Sequence, residues 1–504
     1  MTFSFEANTT GSLRTGTITV FGAYFTVSQA SLGAAPVPAT VTTAPPGLMV
    51  TVDGSSFVSP YSTIWLPGSQ HTISAPSPQG SYTFVSWSNS GPQTQTITAP
   101  AVPITLTATY SQGGAGAGLG FYAIAPCRAV DTRTSQNKTG AFGPPAMAAY
   151  SGRDFPLEQS GCGIPATAQA YSLNFTVVPP GPLDFLSAWP SNQPFPGVST
   201  LNSPDGSTVA NAAIVPNDPN GKIEVTTGNA TDLIIDTNGY FAPPNGNELA
   251  FYPMTPCRVV DTRPSQGKSG VFGPPALSAY SGRTFPIRSS SCNVPSTAQA
   301  YALNLTVVPP GPLSFLSIWP ADKPFPGVST LNSNDGSIIA NAAIVPAAAN
   351  GDVTVTAGNA TDFIMDINGY FAAPGAPGAL HFYSVAPCRV ADTRPSQGFT
   401  GAFGPPGLPA YQGRSFPIQQ SACGIPATAK AYSLNITVVP QQALSFLSVW
   451  PSDKPFPGVS TLNSPKGLAI ANAAIVPAAA NGSITVTAGN PTDLIIDING
   501  YFAP

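Results

Sequence analysis

The sequence contains little charge. Of its 504 residues, 18 are Lys or Arg and 22 are Asp or Glu, only 8% of the chain, against roughly a quarter in typical soluble proteins. The formal net charge is −4 and no basic segment stands out, so nucleic acid is not an expected partner. A charged residue that recurs at the same place in such a chain therefore suggests a specific partner.

Long apolar runs are also missing. No stretch approaches the roughly 20 apolar residues of a membrane helix, so we expect no membrane insertion. The first ten residues, MTFSFEANTT, have neither the basic nor the apolar region of a signal peptide. We expect Met1 to begin a mature or truncated chain, unless export uses another route.

Proline and glycine are abundant, with 58 and 49 residues. The segments between them are rich in Val, Ile, Phe and Tyr, unlike a disordered chain, and no stretch has sustained helical periodicity. Short strands with frequent turn signals predict an all-β protein. This pattern leaves a β-sandwich, a jelly roll and a barrel open as alternatives.

Most of the chain is a triplicated module. Each copy opens on a phrase such as PCRAVDTR, middle phrases such as ANAAIVP follow, and the copy closes on a phrase such as TDLIIDTNGYFA. The predicted β modules are residues 120–243, 250–373 and 381–504. Short connectors rich in Pro and Gly join them, so we expect articulated modules in a row rather than one globule. The Asn-Gly pairs at 220–221 and 238–239, with their equivalents, predict turns.

Two different segments precede the modules. Residues 1–30 predict a hairpin, and the phrases RTGTITV and FTVSQ resemble the last strands of a BACON-type β-sandwich domain. Two or three strands cannot bury a core alone, so we expect this segment to be disordered, to pack on its neighbour, or to donate its strands to another chain. Residues 38–110 resemble the small β-sandwich modules of PEGA type, in which we expect Trp65 and Trp87 to lie in the core.

The six cysteines predict one disulfide in each module. The two cysteines of a module are 35 positions apart in every copy. A zinc site is the rival, but two thiolates need two further ligands, and His71 and His381 are the only histidines in the sequence. Disulfides imply an oxidising, extracellular location. The predicted disulfide cysteines are Cys127, Cys162, Cys257, Cys292, Cys388 and Cys423.

Three arginines and three aspartates recur in every module, whereas no lysine does. Arginine suits bidentate pairing with a carboxylate, so we expect an internal set of ion pairs that ties the opening strand of each module to its closing strand. In an extended strand, Asp131 and Arg133 would share one face and Arg128 would lie on the other. The predicted ion-pair residues are Arg128, Asp131, Arg133, Arg153, Asp232 and Asp236; Arg258, Asp261, Arg263, Arg283, Asp362 and Asp366; and Arg389, Asp392, Arg394, Arg414, Asp493 and Asp497.

Other chemistries are less favoured for these residues. A carboxylate dyad for acid–base catalysis needs pKa values that differ, but an arginine is available for every aspartate. Calcium is a further alternative, yet Asp236–Gly239 lacks alternating oxygen ligands and a distal Glu, and Asp205 is replaced by Lys466 in the third module. The first two modules contain no histidine, which argues against a Ser-His-Asp site. We expect no cofactor and no enzymatic activity.

A proline-framed aromatic loop recurs as WPSNQPFPGVSTLNS and two close variants. One interpretation is a loop packed over the end of the module. The other is an exposed platform that contacts a glycan or a neighbouring subunit. The candidate contact residues are Trp189, Phe195, Trp319, Phe325, Trp450 and Phe456. Asn174, Asn304 and Asn435 lie in N-x-T sequons, but on predicted strands.

In their order, the three module phrases resemble a repeat found in large secreted or surface-attached bacterial proteins. The resemblance implies extracellular, structural or adhesive modules and supplies no catalytic residues. We therefore predict tandem β-sandwich or jelly-roll-like domains that form a cell-surface stalk or fibre, self-associating through strand addition by residues 1–30. One alternative is a carbohydrate-binding adhesin, and another is the non-catalytic C-terminal part of a larger secreted enzyme.

Overall fold

A computed structural model describes residues 6–10, 14–20, 23–29, 35–77, 79, 82–112 and 118–504. Nearly all of its regular elements are β-strands, arranged in separate small sheets, so the predicted all-β class with tandem β domains is confirmed. The chain divides into two compact units, Met1–Gly116 and Ala117–Pro504. Among the described residues, no helix is both long and apolar enough to cross a membrane.

The first unit begins with an isolated hairpin. Strand β1 (Arg14–Val20) pairs antiparallel with β2 (Ala23–Gln29), as the alternating sequence predicts, although the tip at 21–22 lies outside the described residues. Within the described part of the chain, these two strands pair only with each other. Tyr24 and Phe25 are 78% and 54% exposed. The hairpin therefore offers both strand edges and an apolar surface for pairing.

The rest of the first unit contains two four-stranded sheets, in the orders β6-β3-β10-β8 and β5-β4-β7-β9. Their strands are β3 (Val37–Ala44), β4 (Met49–Val52), β5 (Ser55–Val58), β6 (Tyr61–Trp65), β7 (Gln70–Ser74), β8 (Tyr82–Trp87), β9 (Thr94–Thr98) and β10 (Ile104–Gln112). Asp53 and Gly54 join β4 to β5 with positive φ angles, as a tight hairpin turn requires. Trp65 and Trp87 lie in the core, so neither offers a sugar-stacking surface.

Each module of the second unit is a sandwich of two four-stranded antiparallel sheets. In the first module the orders are β11-β18-β13-β16 and β12-β17-β14-β15, and apolar side chains of both sheets form one core. The strands are β11 (Gly120–Asp131), β12 (Arg153–Pro156), β13 (Ala170–Val178), β14 (Leu183–Pro190), β15 (Leu201–Ser203), β16 (Val209–Pro216), β17 (Lys222–Thr227) and β18 (Asp232–Ala242).

The second and third modules repeat this topology. Their strands are β19 (Ala250–Asp261), β20 (Arg283–Pro286), β21 (Ala300–Val308), β22 (Leu313–Pro320), β23 (Leu331–Ser333), β24 (Ile339–Pro346), β25 (Asp352–Ala357) and β26 (Asp362–Ala372), then β27 (His381–Asp392), β28 (Arg414–Pro417), β29 (Ala431–Pro440), β30 (Leu444–Pro451), β31 (Leu462–Ser464), β32 (Ile470–Pro477), β33 (Ser483–Ala488) and β34 (Thr492–Ala503). Single 3-10 turns occupy Gly140–Phe142, Leu157–Gln159, Pro264–Gln266, Gly270–Phe272, Ile287–Ser289, Pro395–Gln397, Gly401–Phe403 and Ile418–Gln420.

The three modules form a closed ring, not articulated beads. Strands β16, β24 and β32 are the edge strands of their sheets, and each contacts the other two. An uncovered sheet edge has unpaired N–H and C=O groups, and here the neighbouring modules cover it. The expectation of modules in a row is therefore wrong, because connector composition does not report what the strand edges meet.

One end of the ring is closed by backbone hydrogen bonds between the opening strands. Leu119 pairs with Phe382, Phe121 with Leu249, and Phe251 with Leu380, so each module bonds to both of its neighbours. Six phenylalanines surround the pseudo-threefold axis beneath these bonds. They are Phe121, Phe241, Phe251, Phe371, Phe382 and Phe502, in one buried cluster.

The closing phrase of each module contains a glycine that makes room for a ring of this phenylalanine cluster. Asn238 and Gly239 lie inside β18, beside a register shift that leaves Asn238 without a partner on β13, so the predicted turn there is wrong. A Cβ atom on Gly239 would overlap the ring of Phe121. Glycine is therefore needed here for close approach of a ring. The predicted turn at Asn220 and Gly221 does occur, between β16 and β17.

Candidate functional site

A buried clasp joins the opening and closing strands of each module. The Arg128 guanidinium donates to both carboxylate oxygens of Asp236, at 2.8 and 3.1 Å, and the two residues lie opposite each other on β11 and β18. Arg258 with Asp366, and Arg389 with Asp497, repeat this bidentate geometry. Bidentate arginine–carboxylate pairs are among the stronger hydrogen-bonded contacts.

Asp131 extends the clasp along the opening strand. Its carboxylate is buried and accepts from Arg133 at 2.7 and 2.9 Å, and from Arg128 at 3.1 Å. The extended-strand expectation placed Arg128 on the opposite face, and that is wrong. A register shift between Arg128 and Val130 turns the two side chains to the same side. Asp261 and Asp392 have equivalent contacts.

Burial raises the pKa of Asp236 to about 6, against the opposing effect of the Arg128 hydrogen bonds and charge. Burial alone would lower the pKa of Arg128, but Asp236 and Asp131 outweigh it and raise that pKa. Both pKa values rise, but for different reasons. The charged form of the arginine is stabilised by its partners, whereas the charged form of the aspartate is destabilised by its removal from water. Asp236 is only 4% exposed, so this carboxyl is not accessible to a substrate.

The third aspartate of each module has a different partner from the one predicted. Among the described residues, the hydroxyl of Thr132 donates to Asp232 at 2.9 Å, where we expected an arginine. Thr262 with Asp362, and Thr393 with Asp493, repeat the contact at 2.8 and 3.0 Å. Thr132 also accepts from the backbone N–H of Leu233. This threonine of the opening phrase therefore joins the start of β18 to the end of β11.

The third arginine of each module binds a loop rather than an aspartate. Arg153 donates to the carbonyl oxygens of Gly143 and Pro145 at 2.7 and 2.8 Å, and its guanidinium lies 5.1 Å from the centre of the Phe155 ring. Arg283 and Arg414 do the same in their modules. The ion pair predicted for these arginines is therefore wrong.

Each module contains the disulfide that its cysteine spacing predicts. The bonds join Cys127 to Cys162, Cys257 to Cys292, and Cys388 to Cys423. Each one ties β11, or its equivalent, to the loop after the last 3-10 turn of the module. Three disulfides indicate an oxidising environment.

A cycle of asparagine contacts joins the modules, and sequence reasoning missed it. Asn341 donates to the Oδ1 atom of Asn174 at 2.8 Å and accepts from the N–H of Ala212 at 3.0 Å. Asn174 in turn donates to the carbonyl oxygen of Ser329 at 3.0 Å. The same contacts join the second module to the third and the third to the first.

The asparagine cycle explains two sequence features. The asparagine of ANAAIVP is a poor strand former that nevertheless recurs in all three copies, and this recurrence was the signal available in the sequence. The N-x-T asparagines lie in the same interface, where their amides bond to the neighbouring module. The folded ring therefore has no room for a glycan on them.

Three equivalent turns meet at the ring axis. The Lys466 ammonium contacts the Oδ2 atoms of Asp205, at 3.2 Å, and of Asp335. Sequence reasoning treated the replacement of Asp205 by lysine as evidence against calcium, and here the lysine forms an ion pair with the aspartate of each of the other two modules. These contacts lower the pKa of Asp335 to about 2 despite burial, which acts in the opposite direction.

The repeated tryptophans are not a surface platform. Trp189 is 3% exposed, and its indole N–H donates to the carbonyl oxygen of Gln193 at 2.9 Å. Trp319 and Trp450 are similarly buried and bond in the same way. Phe195, Phe325 and Phe456, in contrast, are about half exposed. The structure therefore separates the two aromatics of the loop into a buried support and an exposed ring.

Each exposed phenylalanine belongs to an aromatic triad. In the first module, the rings of Tyr150 and Phe185 are 6.1 Å apart, and those of Phe185 and Phe195 are 5.9 Å apart. Tyr150 is 72% exposed and has a φ of +53°, which is uncommon for a bulky residue. The other triads are Tyr280, Phe315 and Phe325, and Tyr411, Phe446 and Phe456.

The cavities at the module interfaces are too small for an organic ligand. The cavity beside Asp236 and Asn238, between the first two modules, has a volume of about 40 Å³. That is room for one or a few waters. Within the described residues, no three His, Cys, Asp or Glu side chains are placed to bind a metal ion. A larger cavity of about 620 Å³ lies within the third module, beside Leu408 and Asp493. Because it belongs to one module only, the exposed triads are the features repeated in all three modules that an external molecule could contact.

In comparisons with known proteins, no family model and no curated protein matches the chain.

Proposed function

We propose that this protein is a non-catalytic, extracellular structural protein that contributes to a cell-surface stalk or fibre. The observation that supports this proposal is the use of the repeated charges. The guanidinium of Arg128 and the carboxylates of Asp131 and Asp236 bind one another inside each module. The charged side chains that could take part in catalysis are thus engaged in stabilising the fold. The disulfides are consistent with an oxidising environment outside the cell.

The C-terminal unit provides a rigid building block for such an assembly. Its three modules are related like the subunits of a homotrimer but belong to one chain, and polar contacts link every pair of modules. Closed rings restrict the relative movement of their parts, because no interface can open without another one changing. A stalk or fibre built from such units would extend without bending inside each unit.

The hairpin of β1 and β2 is the proposed point of assembly. A two-stranded sheet is marginally stable in water, and no further strand pairs with β1 or β2 in the described part of the chain. Addition of a strand from a second copy would supply backbone hydrogen bonds and cover Tyr24 and Phe25. In the C-terminal unit, the edge strands β16, β24 and β32 already face each other, so these edges are not available for strand addition.

Electron microscopy of native material tests the proposal directly, because it distinguishes filaments from free monomers. Deletion of residues 1–30 should abolish polymers while calorimetry still shows the folded C-terminal unit. Deletion of residues 1–10, which keeps both strands, is the matched control and should keep the polymers. Polymers that persist after the longer deletion would disprove assembly through the hairpin.

An adhesin is the second candidate function. The three exposed aromatic triads favour it, since large apolar patches on a soluble surface often mark interaction sites. Adhesion is compatible with a structural role, because a surface fibre can also bind what it touches.

A further inference from the structure

We propose that the three aromatic triads are equivalent binding sites for a neutral polysaccharide. In the first module the site consists of Tyr150, Phe185 and Phe195. This proposal goes beyond the structural role above and does not depend on polymer formation, since each site lies within one module of a single chain.

The same aromatic residues recur in all three modules at exposed positions, where packing of the fold does not require them. Tyr150, Tyr280 and Tyr411 are 72–75% exposed, so burial does not explain why the same residue recurs. Exposed neighbours do change between modules: Ser151 corresponds to Gln412, and Asn192 to Asp322. An exposed aromatic residue that recurs while its neighbours vary points to a contact with another molecule.

The tyrosine is held in a costly conformation. Its φ lies between +53° and +56° in the three copies, and left-handed backbone at a bulky residue is disfavoured. In each copy its N–H donates at 2.7 Å to the carbonyl oxygen of the residue before a glycine, and in the first module that residue is Thr227. The backbone therefore fixes the point from which the ring leaves the surface.

The two phenylalanines are also positioned in advance. Phe195 packs edge-on against the buried Trp189, with ring centres 5.5 Å apart. A Cβ on Gly228 would lie only 3.0 Å from the Phe185 ring, so glycine leaves that ring its space. Asn229 accepts from the N–H of Asp184 and so fixes the backbone before Phe185. A site arranged in this way loses little conformational entropy when it binds.

The surroundings favour a neutral ligand. Asp184 is replaced by Ser314 and Ser445 in the other modules, and Gln193 by Lys323 and Lys454. Neither charge sign is therefore kept at these two positions, whereas the rings and the neighbouring Asn229, Asn359 and Asn490 are kept. The recurring Arg153 is engaged by the carbonyl oxygens of its own loop. Ring faces bordered by neutral hydrogen-bonding groups match sugar rings, which have apolar faces and hydroxyl edges.

The threefold repetition favours a polymer over a single globular partner. The ring places one triad on each module, so a single chain has three equal sites. A globular partner presents one surface, but a polysaccharide presents the same surface many times. Three weak sites on such a ligand bind together with an avidity that exceeds the affinity of each one.

The experiment measures binding of the full chain to insoluble cellulose and chitin, and to cellohexaose and chitohexaose in solution. The test variant is the triple substitution Tyr150→Ala, Tyr280→Ala and Tyr411→Ala. The control variant is Val58→Ala, Ile64→Ala and Val102→Ala, which removes three exposed apolar side chains from the first unit. We expect the control to bind at least one of these glycans like the natural chain. The triple variant should lose binding to all four glycans. A double variant, Tyr280→Ala and Tyr411→Ala, keeps the first triad and should bind the insoluble polymer roughly 100-fold more weakly, with a much smaller loss of hexasaccharide binding.

Three outcomes would overturn the proposal. The first is that the natural chain binds none of the four glycans. The second is that the tyrosine variant, with an unchanged melting temperature, binds them as well as the control does. The third is tyrosine-dependent binding of a decaproline peptide or tyrosine-dependent self-association in sedimentation, without glycan binding, since either result would assign the triads to a protein partner.

Discussion

The Lys466 ammonium lies 3.2 Å from the carboxylate of Asp205, although the two residues are 261 positions apart. It also contacts Asp335, so the three modules place two acids and one base at a single point. Three identical modules would place three like charges there. The three copies are therefore not interchangeable, despite their nearly identical folds.

Substitution of Lys466 by aspartate should destabilise the C-terminal unit. Three carboxylates would then meet at the axis, and each like-charge contact costs about 1–4 kcal/mol at the dielectric constants of a protein surface. Because calcium binds clusters of carboxylates, millimolar calcium should restore the melting temperature of this variant. Lys430→Asp, at an exposed position, removes the same charge and should show neither effect. A calcium response in both variants, or in neither, would contradict this arrangement.

Acid should weaken the same cluster. The pKa of Asp335 is lowered to about 2 by Lys466 and neighbouring hydrogen bonds, against burial. A lowered folded-state pKa contributes stability that is present above the unfolded value, near 4, and is lost as the pH falls through about 2. Urea unfolding between pH 1.5 and 5 should show this loss in the natural chain and a smaller slope in Asp335→Asn. Equal slopes in the two proteins would exclude the contact as its source.

Removal of the clasp arginine should destabilise the module in a pH-dependent way. Arg128→Met leaves the buried Asp236 carboxylate without its partner, which costs about 3–5 kcal/mol at pH 7. The natural Asp236 already has a pKa raised to about 6 by burial, and the substitution should raise it further. Since a raised folded-state pKa favours the protonated folded chain, the loss should shrink between pH 7 and pH 5. A constant loss over that range would show that Asp236 does not titrate there.

Some of the features behind these predictions could be predicted from the sequence, and others could not. The cysteine partners followed from spacing, because two cysteines per module leave one choice of partner within it. The scarcity of charge led to the prediction that arginines and aspartates tie the opening strand of a module to its closing strand, without giving the individual pairs. The side of β11 on which Arg128 lies did not, because the register shift beside Val130 depends on how two distant strands pair.

The ring itself was not predictable from local pattern. Asn341 looks like any polar residue in a strand until Asn174 and Ala212 of the neighbouring module are placed beside it. Asn238 and Gly239 match a turn signal, and only the packing of Phe121 over the glycine explains why they lie in a strand. Exposure of Phe195 above a buried Trp189 likewise depends on the loop fold, not on residue type.

The ring should survive cleavage of its connectors. Protease sites inserted at 244–247 and 374–378, where the chain is exposed, should yield three fragments that stay together in native mass spectrometry. Replacement of Asn211, Asn341 and Asn472 by alanine should release them, because each change leaves a backbone N–H without its acceptor at about 1–3 kcal/mol.

Asn202, Asn332 and Asn463 provide the matched control for this experiment. Their amides bond to the backbone of their own module, so alanine there should leave the nicked complex intact. Dissociation of the nicked natural chain would show that the connectors, and not the asparagine cycle, keep the modules together.

The last contact of the ring has a consequence for biosynthesis. Asn211 of β16 donates to the Oδ1 atom of Asn435, 224 positions later, so β16 must wait for the third module. At about 5–20 residues per second, a ribosome needs roughly ten seconds to a minute for that stretch. During this interval an uncovered strand edge can pair with any other nascent chain. By tethering the correct neighbours, the connectors keep them at a high local concentration when that competition is strongest.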